Sequence, residues 1–243
     1  MRIIRQNNMM ITDFQVFGER SSGANYLSEM LKLNLYIEAT RDYGWKHGFP
    51  TAIAYRHRSL LFVSSRNVLD WVLSMYAKPW HTTKHMQELA FSDFIRHEWQ
   101  TVVDQRRGIS MRRITDGRLM QPMQFDVHPL SGLYFKNLIE MRNFKNTGFL
   151  SFKNRFCNVV YLKHEDFKSD PFRYLEEISD IFRIKMKADV QNISRRLGAQ
   201  IPLKTKHIRN IPKSISNEDK MFIFKHLDLK IEEEIGYNYN TQQ

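Results

Sequence analysis

A glycine-bounded run of polar residues near the N-terminus has the composition of an anion-binding turn. Gly18 and Gly23 enclose four polar residues, one of which, Arg20, carries a guanidinium group. The run follows Asp13–Phe17, whose alternation of apolar and polar residues predicts a half-buried strand, and it precedes apolar residues at helical spacing. A strand, a short turn and a helix N-terminus direct backbone N–H groups and the positive end of the helix dipole toward one point. The pattern therefore predicts a cradle for a phosphate or a sulfate.

The two glycines have the spacing of a nucleotide-binding P-loop, but the residues that follow them differ. A kinase or ATPase loop continues with Lys and then Ser or Thr, which hold the β- and γ-phosphates and a magnesium ion. Ala24 and Asn25 occupy those two positions here. We therefore expect the P-loop-like shape without triphosphate chemistry, and no metal ion is expected to be required. Two glycines at such a turn also occur for packing alone.

A second candidate anion site follows the strongest apolar run of the chain. Arg66 ends the run at 60–66, which predicts a strand buried on both faces, and Ser74 lies eight residues on in a predicted helix. An arginine at a strand end and a hydroxyl on the next helix can hold one phosphate by charge and hydrogen bond. The alternative is a surface arginine and an ordinary helix serine.

Composition describes a basic globular chain. Among the 243 residues, 37 Lys and Arg outnumber 26 Asp and Glu, for a net charge of +11. This balance favours acidic partners, which include nucleotides, sulfated or phosphorylated substrates, nucleic acid and anionic surfaces. The single cysteine, Cys157, lies in an apolar strand-like segment and indicates a small buried side chain. No apolar run approaches membrane-spanning length and no signal-peptide core is evident, so we expect a cytoplasmic protein without a membrane span.

Predicted strands alternate with predicted helices along the chain. This order predicts a single α/β domain over 1–243, with a mostly parallel central sheet flanked by helices and a P-loop-like strand–loop–helix at the N-terminus. Within this domain, 77–155 is expected to form a mostly helical region on the side where an acceptor substrate would bind. The other predicted elements are helices over 68–76, 92–103 and 131–144, a strand over 159–162, a helix launched by Asp170 and Pro171, and a final helix launched by Ser216 with Asp219.

Four segments, in chain order, resemble motifs of sulfotransferases that use 3′-phosphoadenosine-5′-phosphosulfate (PAPS). ERSSGANYL resembles the family's Lys-Ser-Gly-Thr-Thr-Trp-Leu loop, and WKHGFP is similar to its Lys-Thr-His-x-Pro segment. SSRNVLDWVLSMY is similar to Arg-Asn-Pro-x-Asp-x-x-x-Ser-x-Tyr, and KHEDFKSDPFRYLEEI to Tyr-Glu-Asp-Leu-x-x-Asp-Pro. EEEIGYNY resembles the usual ending of the family's C-terminal helix.

The resemblance implies a role for each matching residue. The catalytic group consists of His47 as base, Lys46 at the transferred group, and Arg20. In the donor site that the resemblance implies, the 5′-phosphosulfate is bound by Arg20, Ser21, Ser22, Gly23, Ala24 and Asn25. Tyr26 and His164 lie near the adenine, Arg66 and Ser74 bind the 3′-phosphate, and Lys204 belongs to a closing basic loop. Ser21 stands where the family has lysine, and Arg20, one place earlier, is expected to supply that charge. Lys46 and His47 are adjacent because the family's intervening threonine is absent.

The resemblance implies transfer of a sulfuryl group from PAPS to an acceptor hydroxyl, expected on a carbohydrate, with adenosine 3′,5′-bisphosphate as product. Neither a metal ion nor a nucleic acid is expected as a partner. Two alternatives are a P-loop kinase-like phosphotransferase and a non-catalytic module that binds nucleic acid or another polyanion through the +11 charge. Weaker candidates are His81 and His85 at zinc-like spacing, and four arginines able to grip an acidic acceptor: Arg106, Arg107, Arg112 and Arg113.

Overall fold

The computed structural model describes most of the chain and divides it into two compact units. The first combines Met1–Asn67 with the described part of Gly148–Ile201, and the second combines the described parts of Val68–Thr147 and Pro202–Gln243. The described residues are 1–103, 120–193, 197 and 210–239. The candidate ligands outside them are Arg106, Arg107, Arg112, Arg113 and Lys204.

A five-stranded sheet forms the centre of the first unit. Its strands, in chain order, are β1 (Arg2–Ile4), β2 (Asp13–Phe17), β3 (Glu38–Ala39), β4 (Ser59–Ser65) and β5 (Asn158–Lys163). The spatial order is β1-β5-β4-β2-β3, with β1 antiparallel to β5 and the other pairs parallel. The predicted α/β class and mostly parallel sheet are therefore confirmed. The short strands β1 and β3 had no clear signal in the sequence.

Strand β2 lies where the connections change direction. The chain passes from β2 to β3 on one side and then returns to β4 on the other side. In open α/β sheets, such a switch point opens a crevice at the carboxyl ends of the strands. Register places Phe17 beside Val63 and Ser65 beside Lys163, so the segments after β2, β4 and β5 leave the same edge.

The described helices are short or of medium length. None of them is both long and apolar enough to cross a membrane. They are α1 (Ala24–Asn34), α2 (Val68–Ala77), α3 (Lys84–Glu88), α4 (Phe91–Arg96), α5 (Leu138–Leu150), α6 (His164–Ser169), α7 (Pro171–Phe182), α8 (Asn217–His226) and α9 (Leu229–Glu234), with single 3₁₀ turns at Gln124–Asp126 and Ser151–Asn154.

Helices α1 and α7 pack against the sheet in one apolar cluster. Leu31 of α1 and Leu175 of α7 share this core with Phe14 of β2, and all three are fully buried. Burying a leucine or phenylalanine side chain stabilises the fold by roughly 1.5–3 kcal/mol. The predicted start of α7 is confirmed, because the Asp170 carboxylate accepts a hydrogen bond from the Arg173 N–H. This packing fixes α1, and with it the loop that precedes α1.

The predicted half-buried character of β2 is wrong. Every residue from Phe14 to Phe17 is buried, including Gln15. The alternation of polar and apolar residues suggests one solvent-exposed face, but the chain after β3 contacts the Gln15 side chain: the Tyr43 N–H donates to Gln15 Oε1 at 3.0 Å. The polar side chain therefore finds its partners inside the protein.

Two predicted helices of the second unit have different bounds. The helix predicted over 92–103 ends at Arg96, and beyond it Trp99 and Val102 form bridges with distant residues. These non-local bonds, with β-branched residues at 101–103, favour an extended backbone. The helix predicted over 131–144 begins instead at Leu138, because the Asn137 side chain accepts hydrogen bonds from the first-turn N–H groups.

The predicted start of α8, with Ser216 as its N-cap, is confirmed, although α8 is not the last helix. The Asp219 N–H donates to Ser216 Oγ at 3.1 Å. A further helix, α9, follows, and the Asp228 carboxylate caps it. Helix α2 is close to its predicted bounds and carries Ser74 within the second unit.

Candidate anion-binding site

The loop between β2 and α1 requires both of its glycines. Gly18 has a φ of 151°, and a Cβ there would lie 2.6 Å from Ser22 Oγ and collide with the Ser64 carbonyl oxygen. Gly23 has a φ of 88°, and a Cβ there would lie 2.7 Å from Cγ of the His164 ring. Glycine is the residue that accepts both the backbone conformation and the close approach. The loop is thus packed tightly between strand β4 and the first residue of α6.

Hydrogen bonds tie this loop to itself and to strand β4. The Ser22 N–H donates to Glu19 O at 3.2 Å, and Ser64 Oγ donates to Ser22 O at 2.6 Å. The Arg66 guanidinium donates to Ser21 O at 3.3 Å. Arg66 therefore lies against the loop, as the site prediction requires, even though 45 positions separate it from Ser21.

The N-terminus of α1 has no capping side chain. Its N-cap is Gly23, and the first turn contains no acidic residue. Beside it, Ser22 is only 2% exposed, and its hydroxyl has no hydrogen-bond partner among the described residues. A buried hydroxyl without a partner costs free energy, which an oxygen of a bound ligand would recover. Loop, helix end and hydroxyl together suit an oxyanion.

The segment that contains Lys46 and His47 is bonded directly to this loop. The Gly18 N–H donates to Lys46 O at 3.0 Å, and His47 Nδ1 lies 2.6 Å from Gly18 O. Because a carbonyl oxygen can only accept, Nδ1 carries a proton, and in the neutral ring Nε2 carries the lone pair. Lys46 Nζ donates to Asn25 Oδ1 at the start of α1. The ammonium group of Lys46 and the imidazole of His47 therefore both lie beside the loop.

Two cationic side chains of the site have distinctive environments. Burial, followed by the charges of Arg41 and Lys32, lowers the pKa of Lys46 to about 8. Arg20 is only 4% exposed, and its guanidinium lies 4.9 Å from the ring centre of Trp45. Stacking on an indole holds a guanidinium in place without neutralising it.

Aromatic rings line the side of the site near α6. Tyr26 is half-buried and meets the rings of His164 and Phe167 edge-on, with centroids 6.1 and 5.8 Å away. Burial raises the pKa of Tyr26, so its hydroxyl stays neutral at physiological pH. Its hydroxyl donates to Asn192 Oδ1 at 3.4 Å. A π-surface therefore adjoins the N-terminal turn of α1.

The structure brings together most of the predicted site residues. Ser74 belongs to the second unit and Lys204 lies outside the described residues, so the geometry of this cluster tests neither assignment. The predicted residues of the cluster are Arg20, Ser21, Ser22, Gly23, Ala24, Asn25, Tyr26, Lys46, His47, Arg66 and His164.

Sequence reasoning missed three residues that shape the site. Trp45 stacks on Arg20, and Ser64 bonds to the loop. Gln15 bonds to the backbone of the segment before Lys46. The available signal for Gln15 was a polar side chain between two apolar neighbours, Phe14 and Val16. Nothing in the local sequence marks the other two.

The structure gives less support for a functional role of Cys157, His81 and His85 than for the residues of the loop. Cys157 is buried, and desolvation raises the pKa of its thiol to about 11, which keeps it protonated and agrees with a packing role. His81 and His85 gain no third ligand: within the described ranges, no group of three or more His, Cys, Asp and Glu side chains is arranged to hold a metal ion.

The likeness to PAPS-dependent sulfotransferases rests on four short segments: one contains this loop, and each of the other three contacts the loop through at least one residue. Comparison of the whole chain with models of protein families, with curated proteins and with solved structures found no match.

Proposed function

We propose that this chain is a sulfotransferase that moves a sulfuryl group from PAPS to an acceptor hydroxyl. One observation carries the proposal: a glycine-bounded loop at a helix N-terminus is hydrogen-bonded to a Lys46–His47 pair from a distant segment. Sulfuryl transfer needs an anion cradle, a cation at the transferred group and a base. Residues that could fill these three roles lie within one hydrogen-bonded cluster of the first unit.

The residues of the loop fit the phosphosulfate end of such a donor. N–H groups at the start of α1 and the buried Ser22 hydroxyl would receive its oxygens, and Arg20 and Lys46 would balance its charge. Arg66 contacts the loop and would bind the 3′-phosphate. Tyr26 offers a ring face for stacking on the adenine. Ser74 and Lys204 stay predictions from the motif resemblance.

His47 has the geometry of a general base. Its Nδ1–H is directed to Gly18 O, which orients the ring and leaves base character on Nε2. When bound, the donor would supply an activated sulfuryl group, whose bond to the phosphate oxygen breaks as a bond to the acceptor oxygen forms. His47 Nε2 would take the acceptor's proton, and Lys46 would stabilise the negative charge on the sulfuryl oxygens. A carbohydrate hydroxyl is the acceptor class that we propose.

Calorimetric titration tests the nucleotide. Adenosine 3′,5′-bisphosphate is expected to bind more tightly than ATP with magnesium, and Arg66→Met is expected to weaken it at least tenfold, because a charge-assisted bond to phosphate is lost. Arg173→Met is the matched control, since Arg173 is an exposed arginine of the same unit. Preference for ATP with magnesium would favour a kinase-like phosphotransferase. Salt-sensitive nucleic-acid binding without preference for a 3′-phosphate would favour a polyanion-binding module.

A variant of His47 tests the chemistry separately from binding. His47→Asn retains a donor near Gly18 O and removes the base, so turnover is expected to fall by roughly 10²–10⁴. Affinity for adenosine 3′,5′-bisphosphate should stay near that of the wild type, because His47 is not assigned to the nucleotide. Unchanged turnover would remove His47 from the mechanism.

A further inference from the structure

Gln15 is a buried amide in the middle of the apolar strand β2. It is 4% exposed, and both ends of its side chain are used. The Tyr43 N–H donates to Gln15 Oε1 at 3.0 Å, and Gln15 Nε2 donates to Gly44 O at 2.9 Å. A side-chain amide inside a core is tolerated when its donor and acceptor are both matched. Here the matching groups belong to the backbone immediately before Trp45.

The backbone that Gln15 holds is anchored at two other points. The Thr40 N–H donates to Phe14 O at 2.8 Å, and Lys46 O accepts from the Gly18 N–H at 3.0 Å. Between these bonds the chain turns at Gly44, whose φ is 97°. The Gln15 amide binds the chain at this turn, directly before the residues of the site.

We propose that Gln15 is a positioning residue, which holds Lys46 and His47 in register with the Gly18–Gly23 loop through the backbone of Tyr43 and Gly44. The role rests on the proposed function, since Gln15 has no assigned contact with a ligand and acts through Lys46 and His47. His47 contacts Gly18 and Lys46 contacts Asn25, so a shift of their segment would displace both groups from the loop. A displacement of 1 Å at a reacting group can lower a rate by about 100-fold.

Two substitutions separate positioning from packing. Gln15→Met keeps the length of the side chain and removes both hydrogen bonds, whereas Gln15→Glu keeps the acceptor for the Tyr43 N–H and loses the donor to Gly44 O. Ser59→Ala is the matched control: Ser59 is buried and its hydroxyl lies 2.6 Å from the Tyr43 hydroxyl. It perturbs the same segment without touching the Gln15 amide.

Kinetics provide the first readout. Gln15→Met is expected to lower kcat by roughly 10- to 100-fold, with a smaller loss of affinity for adenosine 3′,5′-bisphosphate, to which Lys46 contributes. Gln15→Glu should lower kcat at least as far as Gln15→Met, because its carboxylate would be buried against the Gly44 carbonyl oxygen. Ser59→Ala should lower the melting temperature and leave kcat intact. Full turnover by Gln15→Met, or an equal loss of turnover in Ser59→Ala, would overturn the positioning role.

A second readout does not depend on activity. In ¹⁵N NMR spectra of the imidazole, wild-type His47 is expected to show a protonated Nδ1 protected from exchange by Gly18 O. Gln15→Met should lose this protection and Ser59→Ala should keep it. If the wild type shows no sulfuryl transfer while this pattern holds, the positioning role stands and the proposed function fails. Unchanged His47 signals in Gln15→Met would overturn the positioning role by themselves.

Discussion

Lys46 is a residue of the candidate site whose charge depends on pH near 8. Burial is the largest cause of its lowered pKa of about 8, and repulsion by Arg41 and Lys32 adds to it. Arg20 stacks on Trp45, and an arginine stays charged throughout the physiological range. Part of the positive charge at the loop is therefore constant, and the part on Lys46 is lost as pH rises.

The affinity of the site for adenosine 3′,5′-bisphosphate is expected to fall as pH rises through about 8. The cationic form of Lys46 favours the anion, so binding is strongest below that pKa and weakens up to the higher pKa that Lys46 acquires in the complex. Phosphate has a second pKa near 6 and is almost fully ionised above about pH 7.5, so titrations between about pH 7.5 and 9.5 follow the lysine. Lys46→Arg should make the affinity for adenosine 3′,5′-bisphosphate nearly independent of pH over this range, without a large loss of affinity. A wild-type profile that is equally flat would contradict the assignment.

At the scale of elements, the loop is shaped by three elements that meet at one sheet edge. Strand β2 leads into it, α1 leaves it, and His164 at the start of α6 lies against Gly23. The apolar packing of α1 and α7 holds this arrangement. The absence of a Cβ at Gly23 is thus a requirement of packing between elements as well as of backbone conformation.

Gly23→Ala is expected to destabilise the protein more than Gly132→Ala does. Both glycines have positive φ, which costs an alanine about 1–3 kcal/mol, but an added Cβ at Gly132 meets no atom within 4 Å. At Gly23 the Cβ also meets the His164 ring. Urea unfolding should show that His164→Ala removes the excess cost of Gly23→Ala and leaves the part due to φ. Equal costs for the two glycine variants would contradict the packing role.

At the scale of the whole molecule, each compact unit is assembled from two separated stretches of sequence. In the second unit, Arg142 of α5 forms a bidentate ion pair with Glu232 of α9, at 2.7 and 2.8 Å, and both side chains are 1% exposed. The Tyr239 hydroxyl donates to Glu232 at 3.4 Å and accepts from the Val68 N–H at 2.9 Å. Burial and the Glu232 charge raise the pKa of Tyr239. This network joins residues up to 171 positions apart.

Glu232→Gln is expected to lower the free energy of unfolding by roughly 3–5 kcal/mol, because it removes the carboxylate charge bonded to a buried guanidinium. Glu233→Gln, at the exposed neighbouring position, should change it by less than about 0.5 kcal/mol. Chemical denaturation of the two variants checks this difference. Similar small effects at both positions would show that the pair does not stabilise the unit.

The sequence by itself determined those features that depend on neighbouring residues. Apolar runs predicted β4 and β5, and local capping residues predicted the starts of α7 and α8. The glycine spacing predicted the turn between β2 and α1. Each of these signals acts over a few residues, through side-chain periodicity, a cap or a backbone preference.

Only the tertiary structure decided which distant groups meet. In the folded chain Gln15 is buried and α4 ends at Arg96. The His47 ring contacts the Gly18 carbonyl oxygen, and the Arg66 guanidinium contacts the Ser21 carbonyl oxygen. Those contacts join residues 29 and 45 positions apart, and their free energy depends on the packing of the whole sheet. Local patterns contain no information on such pairings, because a hydrogen bond is specified by where both partners lie in space.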